Sequence, residues 1–443
     1  MNARIMVVML VGLGLAPGQG AAQLTDSAAT AGAARFIALL TAGDWAEAEQ
    51  MVAPALCDRL GATQLETVWG QVRASLGEGS ATRVRGVSAM DTMRAVELYG
   101  DFARDTVLLR VVLSPATEVV GFWVGPVPDA APAETPAPPY ADESKFREGE
   151  VRVGADPWLL PGTLSIPVQG GPHPAIVLVH GSGPHDRDET VGGTKVFRDL
   201  AWGLASRGIA VLRYEKRTKV HGAKMGAEVT VEEEVIEDAL AALELVRAHP
   251  AVDADQVYIA GHSLGAQLAP EIARRDGSVA GAILLAAPAR PIGEVMTEQL
   301  EYLAGLPQNA APQAQAQLAA ALEQVRLLTT GEAADTQMVM GAPASYFRDL
   351  ARRDAVAEAL RLDVPLLVLQ GERDYQVTMS DFAIWNDALE DRSDTTLKSF
   401  PSLNHLFVAG SGPATPAEYA RPGFVAEDVV TTIRQWVRTQ SPE

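Results

Sequence analysis

The segment Gly261-His262-Ser263-Leu264-Gly265 carries the strongest chemical signal in the chain. It follows an apolar, β-like run, Gln256-Val257-Tyr258-Ile259-Ala260, and precedes an Ala-rich helical stretch, Ala266–Arg274. Between a strand and a helix, G-x-S-x-G forms a tight, strained turn that lifts the serine Oγ clear of the strand. Bulk at either glycine would meet neighbouring backbone, and the N-terminus of the next helix favours developing negative charge. As a bare pentapeptide the pattern would fit an ordinary glycine-rich turn; the strand before it and the helix after it favour a nucleophile.

A serine hydroxyl needs a base. On such an elbow the order along the chain is serine, acid, histidine. The seven histidines are His173, His180, His185, His221, His249, His262 and His405, and only His405 follows Ser263. It lies in Ser402-Leu403-Asn404-His405-Leu406-Phe407, a loop after the strand-like Thr395–Phe400. The acid is expected after the apolar run Leu366–Gln370. There Asp374, in Gly371-Glu372-Arg373-Asp374, can meet the far nitrogen of His405 and fix its tautomer. Glu372 and Asp381 are rivals for that role, and Arg373 reads as a brace for the loop. An oxyanion hole needs two backbone N–H groups. Leu264 should give one, and Ser182, in His180-Gly181-Ser182-Gly183-Pro184, the other, with Gly183 second; His180 reads as a loop brace. The charged runs His185–Thr190 and Arg213–Arg217 fit either a lip that orients substrate or loops held by salt bridges.

These residues need a frame. Ala175–Val179, Ile209–Leu212, Gln256–Ala260, Ala282–Ala286 and Pro365–Leu369 are continuous apolar runs, as expected of parallel strands covered on both faces. Helical patterns lie between them, one opened by a capping-box pair, Thr230 and Glu233. The expectation is an α/β doubly wound, mostly parallel sheet. The interval from Ala287 to Pro365 is too long for a simple crossover and predicts an inserted helical cap over about 290–362, with Met338, Met340, Tyr346 and Phe347 as candidate pocket residues, each read more readily as core. Upstream, helical patterns near residues 27–60 and 63–76 precede four short strand-like runs between Thr82 and Val124, an order that suggests a small α+β domain over 23–125. Six prolines, from Pro126 to Pro139, predict a linker over 126–146. The main domain would then run over 147–443.

The chain has 443 residues, 47% of them hydrophobic, enough for a sizeable core. Its formal net charge of −20 argues against a nucleic-acid partner. Arg4, the apolar run Ile5–Leu15 and small residues Gly20 and Ala22 read as an export signal over 1–22, cut after Ala22. No later apolar run is long enough for a membrane span, so periplasmic or secreted protein without stable membrane insertion is expected. A single cysteine, Cys57, excludes an intramolecular disulfide and a thiolate metal cluster. No metal or cofactor motif is present.

The His180–Pro184 loop, Arg213–Arg217, Gly261–Gly265, Gly371-Glu372-Arg373-Asp374-Tyr375-Gln376-Val377 and Asn404-His405 together resemble bacterial α/β-hydrolases. The resemblance is to carboxylesterases of the esterase D-like group, within the serine aminopeptidase-like superfamily. It covers roughly residues 147–440 and implies hydrolysis of short-chain acyl esters of small molecules, without a cofactor. The Leu40-Thr41-Ala42-Gly43-Asp44-Trp45 stretch looks like part of a small NTF2-like domain, which implies no activity. Serine at position 263 excludes a dehalogenase, which needs aspartate there, and a dienelactone hydrolase, which needs cysteine. A peptidase or acyltransferase would use the same residues. A non-catalytic ligand-binding protein is the rival of another class, against which the complete triad argues. An N-terminal domain that mediates either homodimerisation or substrate capture is a further reading.

Overall fold

The structure is a computed structural model; it describes residues 7–11, 24–56, 61–90, 92–127, 136–222, 224–226 and 228–440. Cys57 and the cleavage site expected at Ala22 lie outside these residues. The chain divides into two compact units, Met1–Glu134 and Thr135–Glu443.

In the first unit a helix over Asp26–Ala42 starts where Thr25 Oγ1 accepts the Ala28 N–H and ends at Gly43, whose φ of 82° suits a glycine. Its buried stripe is Ala29, Ala33, Phe36, Ile37 and Leu40. The stripe packs with Trp69 and Phe122 against an antiparallel meander of Gly79–Met90, Met93–Phe102, Thr106–Leu113 and Val119–Pro126. Val7–Val11, within the segment expected to be an export signal, pairs antiparallel with the last of these strands.

The stretch expected as a linker is used differently at both ends. Pro126 closes a strand of the first unit. Within the second unit, Tyr140 donates to the Val425 carbonyl at 2.6 Å and Arg198 reaches the Pro136 carbonyl. Residues 128–135 lie outside those described.

The second unit is built on eight strands: β1 (Phe146–Val153), β2 (Leu160–Pro167), β3 (His173–Val179), β4 (Ala210–Tyr214), β5 (Val252–His262), β6 (Gly281–Leu285), β7 (Leu366–Gly371) and β8 (Thr395–Phe400). Their order is β8-β7-β6-β5-β3-β4-β2-β1. All neighbours from β8 to β4 are parallel; β2 runs antiparallel to β4 and β1. The five apolar runs read from the sequence fall on β3 to β7. The β1–β2 hairpin was not legible, because β1 is an edge strand whose residues between buried Phe146 and Val153 are exposed, apart from half-buried Val151, and include four charges. It shows neither an apolar run nor an alternation.

The longer helices around this sheet are α1 (Val196–Ala205), α2 (Glu237–Arg247), α3 (Leu264–Asp276), α4 (Ile292–Gly305), α5 (Pro312–Thr329), α6 (Ala344–Ala351), α7 (Ala355–Leu360), α8 (Met379–Leu389) and α9 (Glu427–Gln440). Because strand side chains alternate, Ala175, Val177, Val257, Ile259, Leu284 and Val368 join one core with α2, α3 and α8. Ile176, Leu178, Tyr258, Ile283 and Leu367 join a second core with α1 and α9. Each fully buried aliphatic side chain contributes roughly 1.5–3 kcal/mol to this two-sided burial. The capping box ahead of α2 forms reciprocally: the Thr230 N–H donates to Glu233 Oε2 at 3.0 Å and the Glu233 N–H to Thr230 Oγ1 at 3.2 Å.

The insertion between β6 and β7 holds α4 to α7. It has its own small core of Met296, Leu300, Val325, Leu328 and Val339. Parallel strands direct their following loops to one edge of the sheet. The loops after β3, β5, β7 and β8 therefore gather there. Among the described residues no helix is long and apolar enough to cross a membrane, and no His/Cys/Asp/Glu group could hold a metal ion.

Candidate active site

The turn between β5 and α3 has the strained geometry expected of it. Ser263 has φ 53° and ψ −116°, a left-handed conformation that costs about 1–3 kcal/mol for a non-glycine residue. Hydrogen bonds hold it there: the Ser263 N–H donates to the Leu285 carbonyl at 2.9 Å, and the Gln267 N–H to the Ser263 carbonyl at 3.0 Å. Both flanking glycines are sterically required. A Cβ on Gly261 would stand 2.1 Å from the Gly265 carbonyl oxygen, and one on Gly265 would stand 2.1 Å from that of Val179. Gly265→Ala is accordingly expected to destabilise the second unit by about 3 kcal/mol or more. In Gly305→Ala, where nothing lies within 4 Å, denaturant midpoints should stay near the wild-type value. Equal midpoints for the two variants would contradict the steric account.

His405 sits in the loop after β8. Asn404 shapes that turn, its Oδ1 accepting the N–H groups of Leu406 at 3.0 Å and Val408 at 3.1 Å. The imidazole is buried, and Nδ1 lies 2.6 Å from Asp374 Oδ2. Asp374 is itself buried and fully engaged. Its Oδ1 accepts from the Gln376 and Val377 N–H groups at 2.7 and 3.0 Å, and Oδ2 accepts from Gln370 Nε2 at 3.2 Å. The rival carboxylates are occupied elsewhere. Glu372 accepts from Ser399 Oγ, and Asp381 is buried against Arg290. Arg373 braces the loop, as its sequence position suggested, through the carbonyls of Ser402, Ser411 and Gly412 and an ion pair with Glu418.

Ser263, His405, Leu264 and Ser182 open onto one cavity of about 370 Å³. Leu264 is the first residue of α3, so its N–H has no partner within the helix. The Gly181 N–H cannot serve an oxyanion, because Glu189 Oε1 accepts it at 2.6 Å. Gly183 does not line the cavity. Lys216 Nζ donates to the Gly181 carbonyl at 2.7 Å and steadies the same loop.

The far wall comes from the insertion: Ile292, Val295 and Met296 of α4, with Met340 and Phe347. Two of the four residues singled out in this region thus face the cavity. Met338 is exposed, and Tyr346 turns away to hydrogen-bond Glu234. Gln267, Gln299 and Gln376 also line the cavity and were not singled out from the sequence.

The charged loop 185–190 is mixed in role. Arg187 pairs with Glu150 and Glu215, and Asp188 with Arg213 and Lys195, as in a salt-bridged loop. His185 instead faces the cavity. Burial lowers the His180 pKa to about 3, so that residue is a neutral brace. Glu189 is fully buried. Burial alone would raise its pKa, but the opposite charge of His262 overrides this and holds it at about 2. His262 is correspondingly raised, burial being outweighed by Glu189.

The family described as serine aminopeptidase, S33, matches residues 170–409. Esterase EstD of Thermotoga maritima is 38% identical over 409 residues, which cover 91% of this chain and 93% of that protein. Among solved structures, Est1E from Butyrivibrio proteoclasticus is similar with a TM-score of 0.45 and 16% identity, covering 66% of this chain and 98% of its own. Proline iminopeptidase of Mycobacterium smegmatis is similar with the same TM-score of 0.45, 16% identity and the same coverage, 66% and 98%. The buried His405–Asp374 pair beside a strained serine agrees with the sequence matches: the chain belongs to the serine aminopeptidase S33 family of α/β hydrolases and is a hydrolase.

Proposed function

We propose that the protein is a serine carboxylesterase acting on short-chain acyl esters of small molecules. The observation that carries this reading is the 2.6 Å contact between His405 Nδ1 and Asp374 Oδ2, with His405 and Ser263 opening onto one cavity. Ser263 Oγ attacks the ester carbonyl while His405 Nε2 takes its proton, and Asp374 stabilises the imidazolium. The N–H groups of Leu264 and Ser182 receive the oxyanion. His405 then protonates the departing alkoxide, leaving an acyl-enzyme. Water, deprotonated by His405, attacks the acyl carbon and releases the acid and Ser263.

A cavity of about 370 Å³ is near the small end for ligand sites, which supports a short acyl chain. The name of the 38% identical relative supports an ester over an amide. The family description, serine aminopeptidase, favours an amide as the second reading, which the anilide analogues of the same acyl groups would reveal by turning over faster. Phe347→Ala or Met296→Ala is expected to move the acyl preference to longer chains. Each added methylene accommodated contributes about 0.8 kcal/mol, or roughly fourfold in kcat/KM. A p-nitrophenyl ester series from acetate to decanoate checks this; an unchanged profile would place the acyl group elsewhere.

Export is part of the same proposal. Cleavage after Ala22 would remove the Val7–Val11 strand and leave Val119–Pro126 at the sheet edge. N-terminal sequencing of protein recovered from the periplasm or medium should begin at Gln23; recovery of the uncut chain from the cytoplasm would contradict it.

A further inference from the structure

Glu189 is a buried carboxylate beside the nucleophile that the steps above do not use. It adopts a left-handed φ of 46°, uncommon for a glutamate, and its N–H is tied to the Asp186 carbonyl at 2.9 Å. Its two oxygens serve two different loops. Oε1 accepts the Gly181 N–H at 2.6 Å, one residue before the Ser182 amide assigned to the oxyanion. Oε2 stands 3.1 Å from His262 Nδ1, and neither of these atoms has a hydrogen-bond partner besides this ion pair. His262 Nε2 in turn donates to the backbone carbonyl of His405 at 2.9 Å.

We infer that Glu189 is a positioning residue that, through His262, ties the oxyanion loop to the loop carrying the catalytic base. A carbonyl oxygen only accepts, so His262 Nε2 carries a proton, and the Glu189 carboxylate beside Nδ1 favours a second proton there. Gly181 is then held on both sides: Glu189 accepts its N–H, and Lys216 donates to its carbonyl, which shares a peptide with the Ser182 N–H. The peptide after His405 is held by His262. Both donors and base must keep their places relative to Ser263 through the reaction, and a misplacement of about 1 Å is enough to cost 10²-fold in rate. A buried ion pair is weak as a source of stability. What the pair supplies instead is register between two loops distant in sequence.

The test compares Glu189→Ala, Glu189→Gln and Glu189→Asp on p-nitrophenyl acetate, reading kcat and KM separately and confirming folding by thermal denaturation. Glu189→Gln keeps an oxygen for the Gly181 N–H, and its amide NH₂ can face a neutral His262 that still donates to His405. Its kcat should stay within about tenfold of wild type, whereas Glu189→Ala, losing both links, should lose about 10²–10³-fold in kcat with KM within about threefold. If Glu189→Ala does not accumulate as folded protein, Glu189→Asp decides: one methylene shorter, it cannot reach both partners, and its kcat should fall by at least about tenfold. Wild-type kcat in a folded Ala or Asp variant would overturn the inference. So would a loss expressed in KM alone, or a Gln variant as impaired as Ala. The inference rests on the triad reading, so Ser263→Ala is measured alongside. An active Ser263→Ala defeats the triad; an inactive Ser263→Ala with a fully active Glu189→Ala defeats only the role given to Glu189.

Discussion

Ser263→Ala should lower kcat on p-nitrophenyl acetate by about 10⁴–10⁶-fold while leaving the protein folded. The residue is a small, partly exposed side chain on a turn whose strain is borne by backbone bonds to Leu285 and Gln267, which alanine preserves. Only Oγ is lost, and with it the covalent route. The activity that remains should reflect the oxyanion donors and substrate binding, since these groups retain catalysis over water when a triad member is removed. Combining Ser263→Ala with His405→Ala should cost little beyond the single change, because the pair acts as a unit. Additive losses would show that His405 works apart from Ser263.

Asp374→Asn should cost roughly 10³–10⁴-fold in kcat, with KM and stability little changed. The size follows from the carboxylate's surroundings. Oδ1 accepts two backbone N–H groups, from Gln376 and Val377, so the amide oxygen of an asparagine must occupy that position. The NH₂ then falls where Oδ2 stood, facing His405 Nδ1 and the Gln370 amide. His405 must accept from it and move its proton to Nε2, leaving no lone pair for the Ser263 hydroxyl. The variant keeps its fold but holds the wrong tautomer. A kcat within tenfold of wild type would mean that Asp374 does not set the state of His405.

The three residues of the proposed triad stand out in the sequence because each leaves a separate trace. Ser263 has two glycines whose absent side chains the backbone requires, between a strand and a helix. His405 was selected by chain order, and Asp374 by its place after an apolar strand. The α/β frame was equally legible, since a two-sided core demands continuous apolar runs on β3 to β7. What depends on tertiary approach was not. The existence of an insertion shows in the length between β6 and β7, but helical periodicity does not say which face meets the cavity, and Tyr346 turns to Glu234 while Phe347 lines the cavity. Gln267 lies one helical turn past Ser263 and could have been placed from that spacing. Glu189 was hidden in a run of charges. Its neighbours Arg187 and Asp188 are salt-bridged as such runs usually are, and only the fold shows that Glu189 points inward.

The central claim is that Ser263 is the nucleophile, and the most direct measurement is to locate a covalent adduct. Wild-type protein treated with a fluorophosphonate would be digested and its labelled peptide identified by mass spectrometry, with folded Ser263→Ala treated in parallel. The account requires a single phosphonylated serine at position 263 and no label on the variant. Labelling of another residue, or of folded Ser263→Ala to the same extent, would contradict it, as would folded, ester-hydrolysing wild-type protein that takes up no label.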